Sequence, residues 1–154
     1  MCIRDSIKEL KLEEHVLLPG YVHAEDVPIF YSAAEVFVYP SLYEGFGLPV
    51  IEAMSCGVPV VTSRGSSLEE VAGTAALSID PLDVEAIAQA IVKVLGDSEL
   101  RKQLSEAGLA RSKQFSYKDA ARQTVAVYEG VIGTEGALKS PHSVRKALEG
   151  RSCL

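Results

Sequence analysis

The sequence predicts an α/β fold in which helices pack on a parallel β-sheet. Short runs at 36–39, 58–62 and 75–79 are apolar at nearly every position, without the alternation typical of a sheet with one solvated face. Segments with helical spacing of apolar residues separate these runs, and strands that alternate with helices are typical of parallel sheets. The chain has 154 residues, of which 47% are hydrophobic, which is enough for one domain with a buried core.

Local signals predict the elements up to residue 79. Pro49 suits a first helical turn because it lacks the N–H that is unpaired there, and Gly57 is typical of a position just past a helix end. Ser67-Leu68-Glu69-Glu70 has the pattern of a capping box, which opens a helix. In chain order we expect a helix at 7–14, a strand at 16–18, a helix at 25–34, a strand at 36–39, a helix from 48 to 55 or 56, a strand at 59–62, a short helix from 67 to 73 and a strand at 75–79.

The last third of the chain is predicted to be helical. Gly96-Asp97-Ser98 ends one helix and starts another. Ser116-Tyr117-Lys118-Asp119 is a second capping box, and it opens a helix in which Tyr117 and Tyr128 are expected to pack. Apolar residues at helical spacing predict one packed face on the first of these helices: Val84, Ile87, Ala88, Ile91, Val92 and Leu95.

A glycine-rich turn after the strand at 36–39 is the strongest candidate site. Gly45 and Gly47 lack a Cβ, so a ligand can approach their backbone closely. Amide groups at the start of the next helix, around Phe46, Gly47 and Leu48, point outward, and together with the helix dipole they favour a phosphate. A purely structural turn between a strand and a helix would explain the same glycines.

Two carboxylates flank this turn. Glu44 precedes it, and Glu52 lies about one turn into the helix. A carboxylate can accept hydrogen bonds from two neighbouring hydroxyls of a sugar ring, while like charge keeps it away from phosphates. A nucleotide-sugar, with a diphosphate between two polyols, therefore fits the pair. Ordinary complementation of the helix dipole by an acidic residue is the alternative.

The turn belongs to a longer pattern, Pro40-Ser41-x-x-Glu44-Gly45-Phe46-Gly47-Leu48-Pro49-x-x-Glu52-Ala53-Met54-x-x-Gly57-x-Pro59-Val60-Val61. This pattern resembles the donor-site signature of retaining GT-B glycosyltransferases, the Glu-x7-Glu family (glycosyl transferases group 1). Weaker likeness extends over roughly residues 8–131. The resemblance implies a Rossmann-like parallel sheet that is part of the C-terminal domain of a GT-B fold, followed by C-terminal helices.

The resemblance also implies a role for each site residue. Glu52 is similar to the carboxylate that binds the ribose hydroxyls of the nucleotide. Glu44 is similar to the catalytic-site carboxylate that contacts the donor sugar near the reacting centre. Gly45 and the backbone of Phe46, Gly47 and Leu48 match the loop that holds the sugar and the diphosphate. Val22 matches a position beside the nucleobase.

The implied reaction transfers a hexosyl group from a nucleoside diphosphate sugar to a hydroxyl acceptor with retention, without a metal or other cofactor. The donor would be a UDP-, GDP- or ADP-sugar, and a sugar or lipid-linked acceptor would bind to a missing N-terminal domain. We expect residues 7–132 to be a partial donor-binding domain, 1–6 a non-native leader and 133–154 a non-native or disordered tail, and the isolated chain to be inactive. A non-catalytic donor-binding subunit that needs a partner chain is the alternative.

The family's strand order predicts an open sheet edge. The strands at 16–18, 36–39, 59–62 and 75–79 would be the third to the sixth in the order 3-2-1-4-5-6. The first and second would lie between 16–18 and 36–39, so the strand at 36–39 is expected to be an exposed edge. Glu69 stands where proline is common in relatives, which implies a looser start of its helix.

Composition excludes several other classes of function. A net charge of −6 and a pI near 5.1 argue against a nucleic-acid partner. Cys2, Cys56 and Cys153 lack the spacing of disulfides or metal ligands, which is typical of a reducing compartment. No Gly-x-Gly-x-x-Gly follows a strand, which disfavours a dinucleotide-dependent oxidoreductase. No apolar run approaches the roughly 20 residues of a membrane span. We expect a cytoplasmic location, at the inner membrane surface if the acceptor is lipid-linked.

Overall fold

The structure, a computed structural model, describes residues 3–132. The chain forms two compact units, Met1–Gln114 and Phe115–Leu154. The first contains α1 (Ile3–Glu9), α2 (Val27–Ala33), β1 (Phe37–Tyr39), α3 (Leu48–Ser55), β2 (Val60–Ser63), α4 (Ser67–Ala72), β3 (Ala76–Ile79), α5 (Val84–Gly96) and α6 (Ser98–Ser112); the second contains α7 (Tyr117–Ile132).

A parallel three-stranded sheet in the order β1-β2-β3 organises the first unit. Phe37 pairs with Val60, and Val60 in turn pairs with Ala76. The order matches the last three strands of the predicted arrangement, and β1 forms an edge of the described sheet, as predicted. The alternation of helices with parallel strands confirms the α/β fold class.

The central strand β2 is buried at all four positions, which explains its uninterrupted apolar sequence. On one side Val61 packs with Ile79 of β3, Ala90 and Val94 of α5, and Leu104 of α6. Helices α3 and α4 also contact β2. Their fully buried side chains include Val50, Met54 and Leu68. Complete burial of a side chain of this size stabilises a fold by about 1.5–3 kcal/mol.

Helix α6 packs closely against α3 at a glycine. A Cβ on Gly108 would lie 3.2 Å from Cγ of Met54, closer than ordinary van der Waals contact. Met54 is completely buried, so it has little freedom to move away. The absence of a side chain at position 108 therefore sets the distance between these two helices.

The predicted strand at 16–18 is wrong. Residues 16–23 have no regular secondary structure, and Leu17 is 92% exposed. A strand needs a neighbour to pair with its backbone groups, and β1, β2 and β3 pair only among themselves in the described sheet. The apolar run at 16–18 therefore has the composition of a strand without the pairing that would make it one.

The first helix begins earlier than predicted. It spans Ile3–Glu9 rather than 7–14, with Asp5 in its first turn and Lys8 in its last turn, where these charges complement the helix dipole. It thus starts within the predicted leader 1–6. The predicted tail 133–154 lies outside the described residues, and both domain boundaries stay predictions.

The predicted buried face of α5 is wrong in part. Val84 and Val92 are 78% and 69% exposed, whereas Ala90 and Val94 are buried and Ile87 packs on the core. Positions 87, 90 and 94 follow helical spacing, and positions 90 and 94 lie outside the predicted face, so the buried stripe is displaced from the predicted one. Apolar spacing alone does not show which part of a wide stripe faces the sheet.

In the second unit, α7 begins as the sequence predicts. The hydroxyl of Ser116 accepts a hydrogen bond from the amide of Asp119 at 3.2 Å, which confirms the cap. The predicted packing of its tyrosines is wrong, since Tyr117 and Tyr128 are 79% and 62% exposed. Among residues 3–132, no helix combines the length and apolar character that a membrane crossing requires.

Candidate functional site

The turn before α3 is built around Gly47. Helix α3 spans Leu48–Ser55, as predicted, and Gly57 with φ +75° follows the C-cap Cys56. Gly47 is the N-cap with φ +101°, a left-handed conformation that side chains disfavour. A Cβ at this position would lie 2.3 Å from Cδ2 of the buried Leu68. The turn therefore takes this path only because residue 47 is glycine.

The N terminus of α3 has the features of an anion site. No side chain caps it, and its first turn contains no acidic residue. Pro49 lies in that first turn, and the flanking Phe46 and Leu48 are 46% and 42% exposed. The positive end of the helix dipole therefore borders solvent rather than an acidic side chain.

Glu44 is held by the side chain of a strand residue. The hydroxyl of Tyr39, the last residue of β1, donates a hydrogen bond to Oε1 of Glu44 at 2.6 Å. The Tyr39 hydroxyl first, and the Ser41 hydroxyl second, lower the pKa of Glu44 below its ordinary value, because both hydrogen bonds favour the charged form. Glu44 is therefore a carboxylate at neutral pH.

The backbone of Glu44 is held from α4. The hydroxyl of Ser67 donates to the Glu44 carbonyl at 2.7 Å. The capping box predicted at 67–70 is displaced by one residue, because Ser66 is the N-cap and accepts from the amide of Leu68. Glu69 accepts from the Gly65 amide at 2.8 Å, so its carboxylate secures the helix start that was predicted to be looser. Because Ser66 caps the helix, the Ser67 hydroxyl is available to bond the turn before α3.

Glu52 is exposed on α3, and a second tyrosine holds it. The hydroxyl of Tyr31 in α2 donates to Oε2 of Glu52 at 3.1 Å. Burial first, and the charge of Glu52 second, raise the pKa of Tyr31 to about 12. The phenol therefore stays protonated and able to donate throughout the physiological range.

A row of three aromatic rings connects the two carboxylates. Tyr31 meets Phe37 edge to face, with ring centroids 5.3 Å apart, and Phe37 stacks on Tyr39 at 5.8 Å. Phe37 and Tyr39 are two positions apart on β1, so their side chains leave the same face of the strand. Glu44 and Glu52 are thus tied to one row of rings, on one face of β1.

Sequence reasoning missed Tyr31 and Tyr39. Aromatic residues at alternate positions of β1 were a usable signal, because they indicate a common face. Nothing local to α2 indicated that its tyrosine would reach α3. The structure places Val22, half-buried, in the unpaired segment that precedes α2. Its position beside a nucleobase stays a prediction.

Among residues 3–132, no group of three His, Cys, Asp or Glu side chains could hold a metal ion. The donors that the turn offers are carboxylates, hydroxyls and the amide end of a helix, which suit a polyol and an anion.

Comparison with known proteins decides the family. The sequence model described as "Glycosyl transferases group 1" matches residues 2–111. The chain belongs to this family. As a group 1 glycosyltransferase domain it carries Glu44, Glu52 and the Gly47 turn within the matched span.

Curated relatives and a solved structure agree with this assignment. O-antigen chain mannosyltransferase B of Escherichia coli is 54% identical over 110 residues, which are 71% of this chain and 29% of that protein. MMP alpha-(1->4)-mannosyltransferase of Mycolicibacterium hassiacum is 36% identical over 135 residues, 85% of this chain and 33% of that protein. Sucrose-phosphate synthase from Thermosynechococcus elongatus matches in structure with a TM-score of 0.80 at 33% identity, over 86% of this chain and 34% of that chain.

These comparisons confirm the predicted fold class, an α/β domain like the C-terminal domain of GT-B enzymes. The group 1 glycosyltransferase chain spans about a third of the length of each of these three proteins.

Proposed function

We propose that this chain is the donor-binding part of a retaining glycosyltransferase of the Glu-x7-Glu kind. The enzyme would transfer a hexosyl group from a nucleoside diphosphate sugar to a hydroxyl acceptor. The observation that carries the proposal is the pair Glu44 and Glu52, which flank the uncapped N terminus of α3 and are both tied to the aromatic row on β1.

Each part of the turn has a task in this proposal. The N terminus of α3 stabilises the diphosphate, most strongly as negative charge develops on it when the sugar leaves. Glu52 accepts hydrogen bonds from the ribose hydroxyls. Glu44, charged at neutral pH, orients the donor sugar and faces the positive charge that develops at the anomeric carbon. Val22 lies beside the base.

The rest of the catalytic machinery would come from outside this chain. The chain corresponds to 29–34% of the three proteins described above, and cationic groups that neutralise a diphosphate are worth several kcal/mol in transfer reactions. We therefore propose that transfer needs an acceptor-binding domain, either on the same polypeptide or on a partner chain. In the second case this chain is a donor-binding subunit without activity of its own.

A mannosyl group is the first candidate for the transferred sugar. Both curated relatives described above are named mannosyltransferases, and one of them shares 54% identity. The motif does not distinguish UDP, GDP and ADP, because recognition of the base involves the segment around Val22 and residues beyond the motif.

Calorimetric titration of the 154-residue chain with GDP-mannose, UDP-glucose and ADP-glucose, and with GDP, UDP and ADP, tests donor binding. The matched variants are Glu52→Ala, Glu44→Ala and, as a control on the exposed surface of α6, Glu106→Ala. Glu52→Ala should weaken binding of the free nucleoside diphosphate and of the nucleotide sugar alike. Glu44→Ala should weaken only the nucleotide sugar, and Glu106→Ala should change neither.

Transfer is measured on the enzyme that contains the acceptor-binding domain, where Glu44→Ala should reduce turnover more than nucleotide affinity. The proposed function would be wrong if the unmodified chain and its three variants had equal affinities. It would also be wrong if the unmodified chain bound no nucleotide sugar. Sugar transfer by the 154-residue chain alone would show that the second domain is not needed.

A further inference from the structure

We propose that Tyr31 and Tyr39 are positioning residues of the donor site, and that each of them orients one of the two glutamates for its own half of the donor. The inference rests on the proposed function. It assigns Tyr39 to the sugar half, through Glu44, and Tyr31 to the nucleotide half, through Glu52.

Tyr39 restricts Glu44 to one orientation. A glutamate side chain on a turn has three rotatable bonds, and ordering it on ligand binding costs free energy. The 2.6 Å bond from the Tyr39 hydroxyl fixes Oε1, while the Ser67 hydroxyl fixes the backbone carbonyl of the same residue. A carboxylate has about four acceptor positions, so the lone pairs that Tyr39 and Ser41 do not use can still accept from a sugar hydroxyl.

Tyr31 acts in the same way on Glu52. This glutamate is exposed on α3, so solvent alone would leave its side chain free to rotate. The Tyr31 hydroxyl holds Oε2 at 3.1 Å and leaves Oε1 for a ribose hydroxyl. Because Tyr31 belongs to α2, the orientation of Glu52 depends on an element outside the Glu-x7-Glu motif.

Phe37 keeps the two phenols in place. It contacts Tyr31 edge to face on one side and stacks on Tyr39 on the other. Offset-stacked and edge-to-face contacts are the favoured arrangements of aromatic pairs. The rings are therefore packed before any donor arrives, and the two carboxylates are pre-oriented by one rigid row.

The experiment removes one hydroxyl at a time from the 154-residue chain. Tyr39→Phe and Tyr31→Phe each keep the aromatic ring and its contact with Phe37. Tyr117→Phe, on the exposed surface of α7, is the matched control. Affinities for a free nucleoside diphosphate and for its nucleotide sugar are measured by calorimetry for each variant. Thermal melts verify that every variant is folded.

We expect the two variants to change the affinities for the two ligands differently, which a general loss of structure would not do. Tyr39→Phe should weaken the nucleotide sugar about three- to tenfold, the range expected for the net contribution of one ordinary hydrogen bond, and leave the nucleoside diphosphate unchanged. Tyr31→Phe should weaken both ligands by a similar factor. Tyr117→Phe should bind both like the unmodified chain.

A carboxyl titration followed by carbon-13 NMR gives a second readout that needs no ligand. In Tyr39→Phe the pKa of Glu44 should rise toward its ordinary value, because the strongest hydrogen bond to the charged form is lost. Tyr31→Phe should leave the pKa of Glu44 where it is.

The outcomes separate the two proposals. If Glu44→Ala and Glu52→Ala lose affinity as described but both phenylalanine variants bind like the unmodified chain, the positioning role is wrong and the donor site stands. The same conclusion follows if both variants lose affinity for both ligands equally. If the unmodified chain binds no nucleotide sugar, the donor site itself is wrong and the positioning role fails with it.

Discussion

At Gly47 the chain requires a residue without a side chain for two separate reasons. The backbone has φ +101°, and the position that a Cβ would occupy is 2.3 Å from the buried Leu68. Gly45, two residues earlier in the same turn, has nothing within 4 Å of the corresponding position. The two glycines look equivalent in the sequence, but only one of them is required by packing.

The pair gives a direct prediction. Gly47→Ala should lower the free energy of unfolding by about 1–3 kcal/mol, because alanine would be strained in this conformation and would displace Leu68. Gly45→Ala, the same chemical change, should cost much less. Urea unfolding followed by circular dichroism measures both, and equal losses for the two variants would contradict the prediction.

The phenol of Tyr31 gives a prediction about pH. Its pKa is raised from 10.0 to about 12, so the folded state keeps the proton longer than the unfolded state. The stabilisation is therefore fully present below pH 10 and is lost as the pH rises from 10 toward 12. In an alkaline absorbance titration, the six tyrosines should include a late step that shrinks by one tyrosine in Tyr31→Phe. The hydrogen bond to Glu44 raises the pKa of Tyr39 as well, so one late tyrosine should remain in this variant. An alkaline titration identical to that of the unmodified chain would exclude Tyr31 as a source of the late step.

At the scale of elements, α4 connects the core to the site. Its N-cap Ser66 stabilises the helix, while Ser67 in the next position donates to the Glu44 carbonyl. At its other end, the side chain of Arg111 in α6 donates to the carbonyl of Val71 at 2.9 Å. Helix α4 is thus anchored at one end by α6 and presents a hydroxyl to the turn at the other.

The adjacent serines allow a matched comparison. Ser66→Ala should cost about 1 kcal/mol of stability through loss of the N-cap. Ser67→Ala should cost less stability but weaken nucleotide-sugar binding, because the backbone of Glu44 is released. Chemical denaturation and calorimetric titration of both variants provide the test. The assignment of the two hydroxyls is wrong if the effects are reversed.

Helix α5 gives a second comparison on a single element. Val94 is completely buried although it lies outside the predicted apolar face, and Val92, which belongs to that face, is 69% exposed. Val94→Ala should destabilise the fold by about 2 kcal/mol, and Val92→Ala should change stability by less than about 0.5 kcal/mol. Similar melting temperatures for the two variants would argue against the observed orientation of α5.

Elements were predictable where their signals are local. The bounds of α3 follow from Gly47, Pro49 and Gly57, each of which acts on its own stretch of backbone. The N-cap of α4 was misplaced by one residue because two serines in succession can both fill that role. The bonds from Tyr31 and Tyr39 to the glutamates could not be predicted as pairs, since they join separate elements that only folding brings together.

At the scale of the whole molecule, backbone pairing with a neighbouring strand decides whether an apolar run forms a strand. The run at 16–18 has the composition of a strand but remains unpaired, whereas β1 forms because β2 lies beside it. The outer edge of β1 has no partner strand in the described sheet, and three uncharged residues form it. An unprotected edge of this kind favours pairing with other chains.

We therefore predict that the 154-residue chain melts at low temperature with a broad transition, and that saturating nucleoside diphosphate raises its melting temperature. A ligand that binds only the folded state stabilises it by mass action, by about 2.7 kcal/mol at a hundred times its dissociation constant. Scanning calorimetry with and without ligand gives the measurement. A sharp transition at high temperature without ligand would show that the exposed edge of β1 does not destabilise the fold.

The contact between Gly108 and Met54 has a consequence for genetic screens of this family member. Any larger residue at position 108 would push on the last turn of the helix that carries Glu52. Loss-of-function alleles should therefore accumulate at a site whose own side chain meets no sugar and no nucleotide. Second-site revertants should shorten residue 54, restoring the gap between the two helices.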